Sequence, residues 1–116
     1  MVHIRSVVET FAALAEPNRL RIVELLRGGA RPVGDIGERL HLQQPQVSKH
    51  LRVLREAGLV DVEVRAQHRY YELRAEPLKQ LDEWLDRFRA MWEGRLDRLD
   101  DYLQHMKKSK RTPEKK

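Results

Sequence analysis

Residues 43–51 read QQPQVSKHL, and the way they fold decides the architecture around them. Glutamines, a proline, a serine, a lysine and a histidine share the stretch with just two aliphatic residues, Val47 and Leu51. That polarity suggests a loop. Yet Val47 and Leu51 stand four apart and Leu54 follows three later, the spacing of one helical face. At about 100° per residue, Leu51 and Leu54 fall within about 40° of Val47. Pro45, Gln46, Lys49 and Arg52 then point largely away, Ser48 lies to the side, and His50 sits nearer the core edge. Pro45 belongs in a first turn, where a missing N–H loses no partner. The stretch therefore reads as the start of a helix over 44–57, stopped by Gly58.

Working outward from it, RPVGDIGERLHL precedes: Val33, Ile36 and Leu40 predict a short helix, joined to the next by a turn at about 41–43. Counted from Val33, the residues Ile36, Leu40, Val47 and Leu51 fall where a helix-turn-helix needs apolar side chains, and Gly37 falls at its closest approach. Upstream, Val7, Val8, Phe11 and Leu14 predict a helix over 5–15. EPNRLRIVELLRGG predicts another, opened by Pro17 and ended by Gly28-Gly29. Downstream the period changes to two. Val60, Val62 and Val64 alternate with Asp61 and Glu63, and Tyr71 and Leu73 flank Glu72, which predicts a β-hairpin turning at Ala66-Gln67. The turn lacks the Asn-Gly or Asp-Gly pair of the tightest hairpins. A long amphipathic helix over about 76–106 follows, its seam running Leu78, Leu81, Leu85, Phe88, Trp92, Leu96, Leu99, Leu103 and Met106.

The predicted fold class is mainly α with a small β-hairpin: a winged helix-turn-helix of five helices, with the long C-terminal helix in a dimer interface. At 116 residues the chain has room for one domain, expected over 1–106, with 107–116 as a disordered basic tail. There is no apolar run of membrane-spanning length and no signal peptide, so no membrane partner is expected. The absence of cysteine excludes disulfides and thiolate metal sites and fits a cytoplasmic location.

The net charge of +5 is less informative than its placement, because the final KKSKRTPEKK alone supplies six Lys/Arg against one Glu. Within the body, residues 39–74 hold seven basic and four acidic residues, whereas 78–106 hold five basic and seven acidic. The first segment suits phosphates and the second does not.

The outward residues of helix 44–57 suit base edges. A glutamine amide both donates and accepts, as adenine requires in the major groove, and lysine reaches guanine acceptors or phosphate. A polar face on a lone amphipathic helix is ordinarily just solvated. The preceding helix and following hairpin change that reading, since they are the parts of a winged DNA-binding domain. The candidate reading helix thus contributes Gln44, Gln46, Ser48, Lys49, His50 and Arg52, with His50 alternatively a packing residue. The candidate wing contributes Arg65, Gln67, His68 and Arg69, whose bland alternative is a merely soluble hairpin tip.

FAALAEPNRLRIVELL, QPQVSKHLRVLREAGLV and HRYYEL, in that order, resemble the ArsR/SmtB family of bacterial winged-helix repressors over nearly all of residues 6–105. The resemblance implies a homodimeric regulator that sets one reading helix of each subunit in successive major grooves of an operator. It places Gln44, Gln46, Ser48 and Lys49 at the family's DNA-contacting positions. Gln43 stands where the family often has Ser or Thr, and His41 where helix-turn-helix proteins often have Gly. Metal sensors of the family carry Cys-x-Cys in the third helix, where this chain has Pro32 and Gly34, and its C-terminal helix lacks the family's His/Asp zinc pattern. The chain accordingly resembles a non-metal-sensing subgroup, and no metal or cofactor is expected.

The long helix cannot bury its seam alone in so small a domain. A dimer core of Val7, Phe11, Leu81, Trp84, Leu85, Phe88, Trp92, Leu96 and Leu99 is the preferred account, with intramolecular packing as the alternative. A small-molecule or protein effector is left open. The competing function is a winged-helix module that binds protein without specific DNA recognition. An enzyme is the weakest option, since no catalytic constellation is visible.

Overall fold

The computed structural model describes residues 4–114, apart from the side chains of Leu96 and of residues 108–114. Five helices and three short strands follow in the order α1 (Ile4–Leu14), α2 (Pro17–Leu26), β1 (Arg31–Pro32), α3 (Val33–Leu40), α4 (Gln44–Glu56), β2 (Val60–Arg65), β3 (His68–Leu73) and α5 (Ala75–Glu114). The chain divides into two units, residues 1–82 and 83–116, each described by itself.

The core of the first unit grows from the spacing of its apolar residues. Val47, Leu51 and Leu54 are at most 1% exposed, so the narrow apolar edge of α4 is fully used. They join Ile22, Val23 and Leu26 of α2, Ile36 of α3, and Leu59 and Val60 at the start of β2. Val33 and Leu40 pack at the margin of this cluster. Covering α4 on one side leaves its opposite side to the solvent, and this sidedness positions the site.

The helix-turn-helix turn is set by close approach. A Cβ on Gly37 would lie 2.8 Å from the carbonyl oxygen of Leu42, a separation that side chains do not occupy. Gly37 O instead accepts the backbone N–H of Leu42 at 2.9 Å. His41 closes α3 in the left-handed region (φ 59°, ψ 45°), where glycine is the residue without a steric cost. The same device ends α4: Gly58 has φ +78°, and Leu59 N–H donates to Leu54 O at 2.9 Å.

The sheet has one strand more than the sequence pattern gave. β1 adds to the hairpin in the antiparallel order β1-β3-β2, with Arg31 opposite Tyr71 and Pro32 opposite Tyr70. Two residues are too few for a period-two signal, and Pro32 is tolerated because β1 is an edge. The hairpin register pairs Val60 with Leu73 and Arg65 with His68 across the Ala66-Gln67 turn, where Ala66 takes φ +56°.

Two expectations need correction. Val7, assigned to a dimer face, is 3% exposed within the chain and has little surface left for a partner; on α1 the exposed apolar residues are Ile4, Val8 and Phe11. The helical backbone of α5 continues to Glu114, eight residues past the last seam residue, rather than giving way to a disordered tail at 107. Lys107, Lys108, Lys110 and Arg111 are good helix formers, and Pro113 stands next to the end of the helix, not in its interior. Residues 115–116 lie outside the described residues.

Candidate nucleic-acid interface

The exposed side of α4 begins at its cap. Gln43 is the N-cap, with extended backbone (φ −70°, ψ 147°). Glutamine is too long to cap as Ser or Asp does. The reciprocal half of a capping box makes up for it, since the Gln43 backbone N–H donates to Gln46 Oε1 at 3.1 Å. Gln44, Pro45, Gln46, Ser48, Lys49 and Arg52 are all exposed. Arg52 lies 3.6 Å from Glu56 one turn on, an exposed pair too weak to immobilise it.

His50 does not join that surface. Its side chain is 16% exposed, and Nδ1 lies 3.4 Å from Glu16 Oε2, outside hydrogen-bonding geometry and shielded from solvent. The base-reading assignment of His50 is therefore corrected to packing, because at about 60° from Val47 the ring lies on the core side of the helix. Glu16, which the sequence pattern did not single out, is the N-cap of α2 and accepts the backbone N–H groups of Asn18 at 3.2 Å and Arg19 at 3.0 Å. Desolvation pushes its pKa up, but those two donors, aided by the nearby His50 and Arg19, hold the carboxyl below its usual range. Arg21 was also missed. Its Nη2 donates to Leu40 O at 2.9 Å, tying α2 to the last turn of α3 beside the left-handed His41. Nineteen residues separate the pair, so no local spacing announces it.

At the other end of α3, Asp35 accepts from Arg31 Nη1 at 2.7 Å and from Arg39 Nε at 3.2 Å. The Arg31 hydrogen bond lowers its pKa most; desolvation opposes and Arg39 adds to the lowering. Arg39 is thus partly neutralised on a helix that precedes the reading helix.

The wing is exposed from Glu63 to Arg69, but its candidate residues do not form one cluster. Cross-strand partners share a face, and faces alternate along each strand. The pairs Asp61–Glu72, Glu63–Tyr70 and Arg65–His68 therefore lie on one face, and Val62–Tyr71 and Val64–Arg69 on the other. Arg65 is held on the acidic face: Nη2 contacts Glu63 Oε2 at 3.3 Å, and the guanidinium stands 4.9 Å from the centre of the Tyr70 ring. The Glu63 hydrogen bond pushes the Arg65 pKa further up. Arg69 lies beside Val64, 66% exposed, on the face without acids. Gln67 occupies the turn.

The second unit presents an apolar groove along α5, lined by Trp84, Leu85, Phe88, Met91, Trp92 and Arg95, with a volume of about 360 Å³. The Trp84 and Phe88 rings meet at 4.9 Å between centres, tilted by 58°. Phe88 is 37% exposed, Trp92 41% and Leu99 52%, while Leu81, Trp84 and Leu85 are half-buried. The side chain of Leu96 lies outside the described residues. Among the described residues no helix is long and apolar enough to cross a membrane.

Comparison with known proteins brings these features under one description. The model of "Bacterial regulatory protein, arsR family" matches residues 16–62, which span α2 to the first part of β2. The transcriptional repressor SdpR of Bacillus subtilis is 33% identical over 78 residues, covering 67% of this chain and 87% of SdpR. The arsenic resistance transcriptional regulator ArsR1 of Pseudomonas putida is 33% identical over 105 residues, covering 87% of this chain and 77% of ArsR1. Among solved structures, an ArsR-like transcriptional regulator from Rhodococcus sp. RHA1 superposes with a TM-score of 0.69 at 24% identity, over 85% of this chain and 93% of that one. That likeness bears on the fold, which is a winged helix-turn-helix.

Proposed function

The chain belongs to the ArsR family and is a DNA-binding transcriptional regulator, not an enzyme; from that premise we propose that it acts as a homodimeric cytoplasmic repressor of an imperfectly palindromic operator. In this reading α4 enters the major groove. Gln44, Gln46, Ser48 and Lys49 contact base edges, and Arg52 and the wing contact phosphates. The observation that carries it is the sidedness of α4: Val47, Leu51 and Leu54 are buried, whereas every polar residue of its first turns except His50 faces solvent.

A second copy covers what one chain leaves bare. Ile4, Val8 and Phe11 on α1 and Phe88, Met91, Trp92 and Leu99 on α5 are exposed apolar residues, surface that a monomer rarely leaves uncovered in such number. Residues 1–106 then make up one DNA-binding and dimerisation domain. Two-fold symmetry places the half-sites about one helical turn apart. A thiolate-bound metal is not among the effectors this reading admits, since these 116 residues hold no cysteine.

Selection from a pool of random-sequence duplexes tests the reading. Enrichment of an imperfect palindrome whose occupancy falls steeply with salt supports it. A pool that stays random while the protein still binds it would leave a nonspecific DNA binder. A pool that is not retained at low salt would favour the protein-binding alternative.

A further inference from the structure

Arg95 is out of place on α5. With Phe88 taken as the centre of the apolar stripe, Arg95 lies within about 20° of it, as central as Trp84 or Trp92, at about 100° per residue. All seven acidic residues between 78 and 106 lie at least about 120° away. The other basic residues of this stretch have an acid three or four positions along the helix: Glu83 for Lys79 and Arg87, Asp86 for Arg89 (3.5 Å) and Asp101 for Arg98. At those positions Arg95 has Met91, Trp92, Arg98 and Leu99. Among the described residues lining the groove of about 360 Å³ it is the one that carries a charge.

Dimerisation sharpens the problem. A two-fold interface brings the same face of each copy together. Closing it over this stripe adds a second Arg95, and the α5 stripe itself carries no carboxylate. Two cations enclosed by Trp, Phe and Met without a counter-charge are costly, and removing them from water is worthwhile only with an anion between them. An open groove that is apolar except for one charged group suits a small amphipathic ligand once a second copy covers it.

We propose that the α5 groove binds an alkyl carboxylate, with the chain against Trp84, Phe88 and Trp92 and the carboxylate on Arg95. Arginine suits that head group because its planar fork meets both carboxylate oxygens. The ligand site deepens the dimeric reading given above and rests on it for the closed form of the groove.

Both tryptophans of the chain, Trp84 and Trp92, line the groove, so tryptophan fluorescence excited to the red of the three tyrosines reports on it, with sedimentation at the same ligand concentrations separating binding from a change in dimerisation. The full-length protein is titrated with sodium decanoate below its micellar concentration, with decanol and decyltrimethylammonium as neutral and cationic controls. Decanoate is expected to give a saturable change, and Arg95→Gln to weaken it at least about tenfold, the scale of one charge-assisted contact. Arg95 is exposed in the single chain, so the variant folds. Decanol is expected to bind more weakly and equally to both proteins. Equal decanoate affinity in the variant, equal affinity for the cationic control, or a response confined to micellar concentrations overturns the proposal. Sedimentation velocity separates the two readings. A dimer indifferent to decanoate overturns the ligand site alone, and a monomer with Arg95-dependent binding overturns the dimer alone.

Discussion

The backbone N–H of Gln43 donates to Oε1 of Gln46 at 3.1 Å, so one of the residues assigned to base reading also holds the first turn of its own helix together. Reading adenine needs both ends of the amide, the oxygen to accept and the nitrogen to donate. In the free protein the oxygen is engaged and the nitrogen is left for DNA.

Substitutions at Gln46 separate the two duties. Gln46→Glu keeps the accepting oxygen and leaves the helix at least as stable, because glutamate serves equally in a capping box. It loses the donor and adds negative charge at the groove. We expect operator affinity to fall by about 1–3 kcal/mol or more while the melting temperature is unchanged. Gln46→Ala is expected to lose both affinity and stability. Electrophoretic mobility shifts and thermal melts on both variants check the pair.

The turn between α3 and α4 predicts two changes of opposite sign. His41 sits at φ 59°, which costs an L-residue roughly 1–2 kcal/mol. Glycine gives back part of that in chain entropy, so His41→Gly is expected to stabilise by about 0.5–1 kcal/mol. Gly37→Ala puts a methyl group against Leu42 O and is expected to destabilise by about 1–3 kcal/mol, the range of an overpacked site. Urea midpoints of the two variants, with unchanged denaturant slopes, are the measurement.

On the wing, Arg69→Ala is expected to reduce the salt dependence of operator binding by about one unit of log K against log salt, the loss of one phosphate contact. Arg65→Ala is expected to reduce it less, because Glu63 already offsets that charge and Tyr70 holds the guanidinium on the acidic face. Equal slopes for the two variants would show that both faces of the hairpin meet the backbone.

Two carboxyls give the protein an acid limb. Asp35 and Glu16 have pKa values lowered by folding. A depressed folded pKa contributes stability that is present above the unfolded value, near about 4, and is lost as pH falls through the folded value. The melting temperature is therefore expected to hold between about pH 7 and 5 and to fall below about pH 4. Asp35→Asn is expected to melt lower than wild type at pH 7 and to show a shallower fall in acid.

Much of this was legible in the spacing of a few residues. Val47, Leu51 and Leu54 gave α4 its direction, Gly37 and Gly58 marked the two places where the chain must turn closely, and the alternation of Val60, Val62 and Val64 gave the wing. What escaped was non-local or too short. β1 is two residues, and Arg21 meets Leu40 across nineteen positions. The face of Arg65 depends on a register that the Ala66-Gln67 turn does not announce. His50 shows the limit of a helical wheel, which placed it near the core edge without the Glu16 carboxylate that meets it there. Val7 was given to a partner although the chain already buries it.

The central claim is that the exposed side of α4 reads bases, and equilibrium titration against a selected palindrome and a scrambled duplex of equal length tests it most directly. With salt varied, the account predicts steep salt dependence for both duplexes and a preference for the palindrome of at least about 10³ at physiological salt. The quadruple alanine variant at Gln44, Gln46, Ser48 and Lys49 should bring that preference close to one while still binding both duplexes. A variant that keeps the full preference would contradict the claim and move sequence recognition elsewhere on the protein.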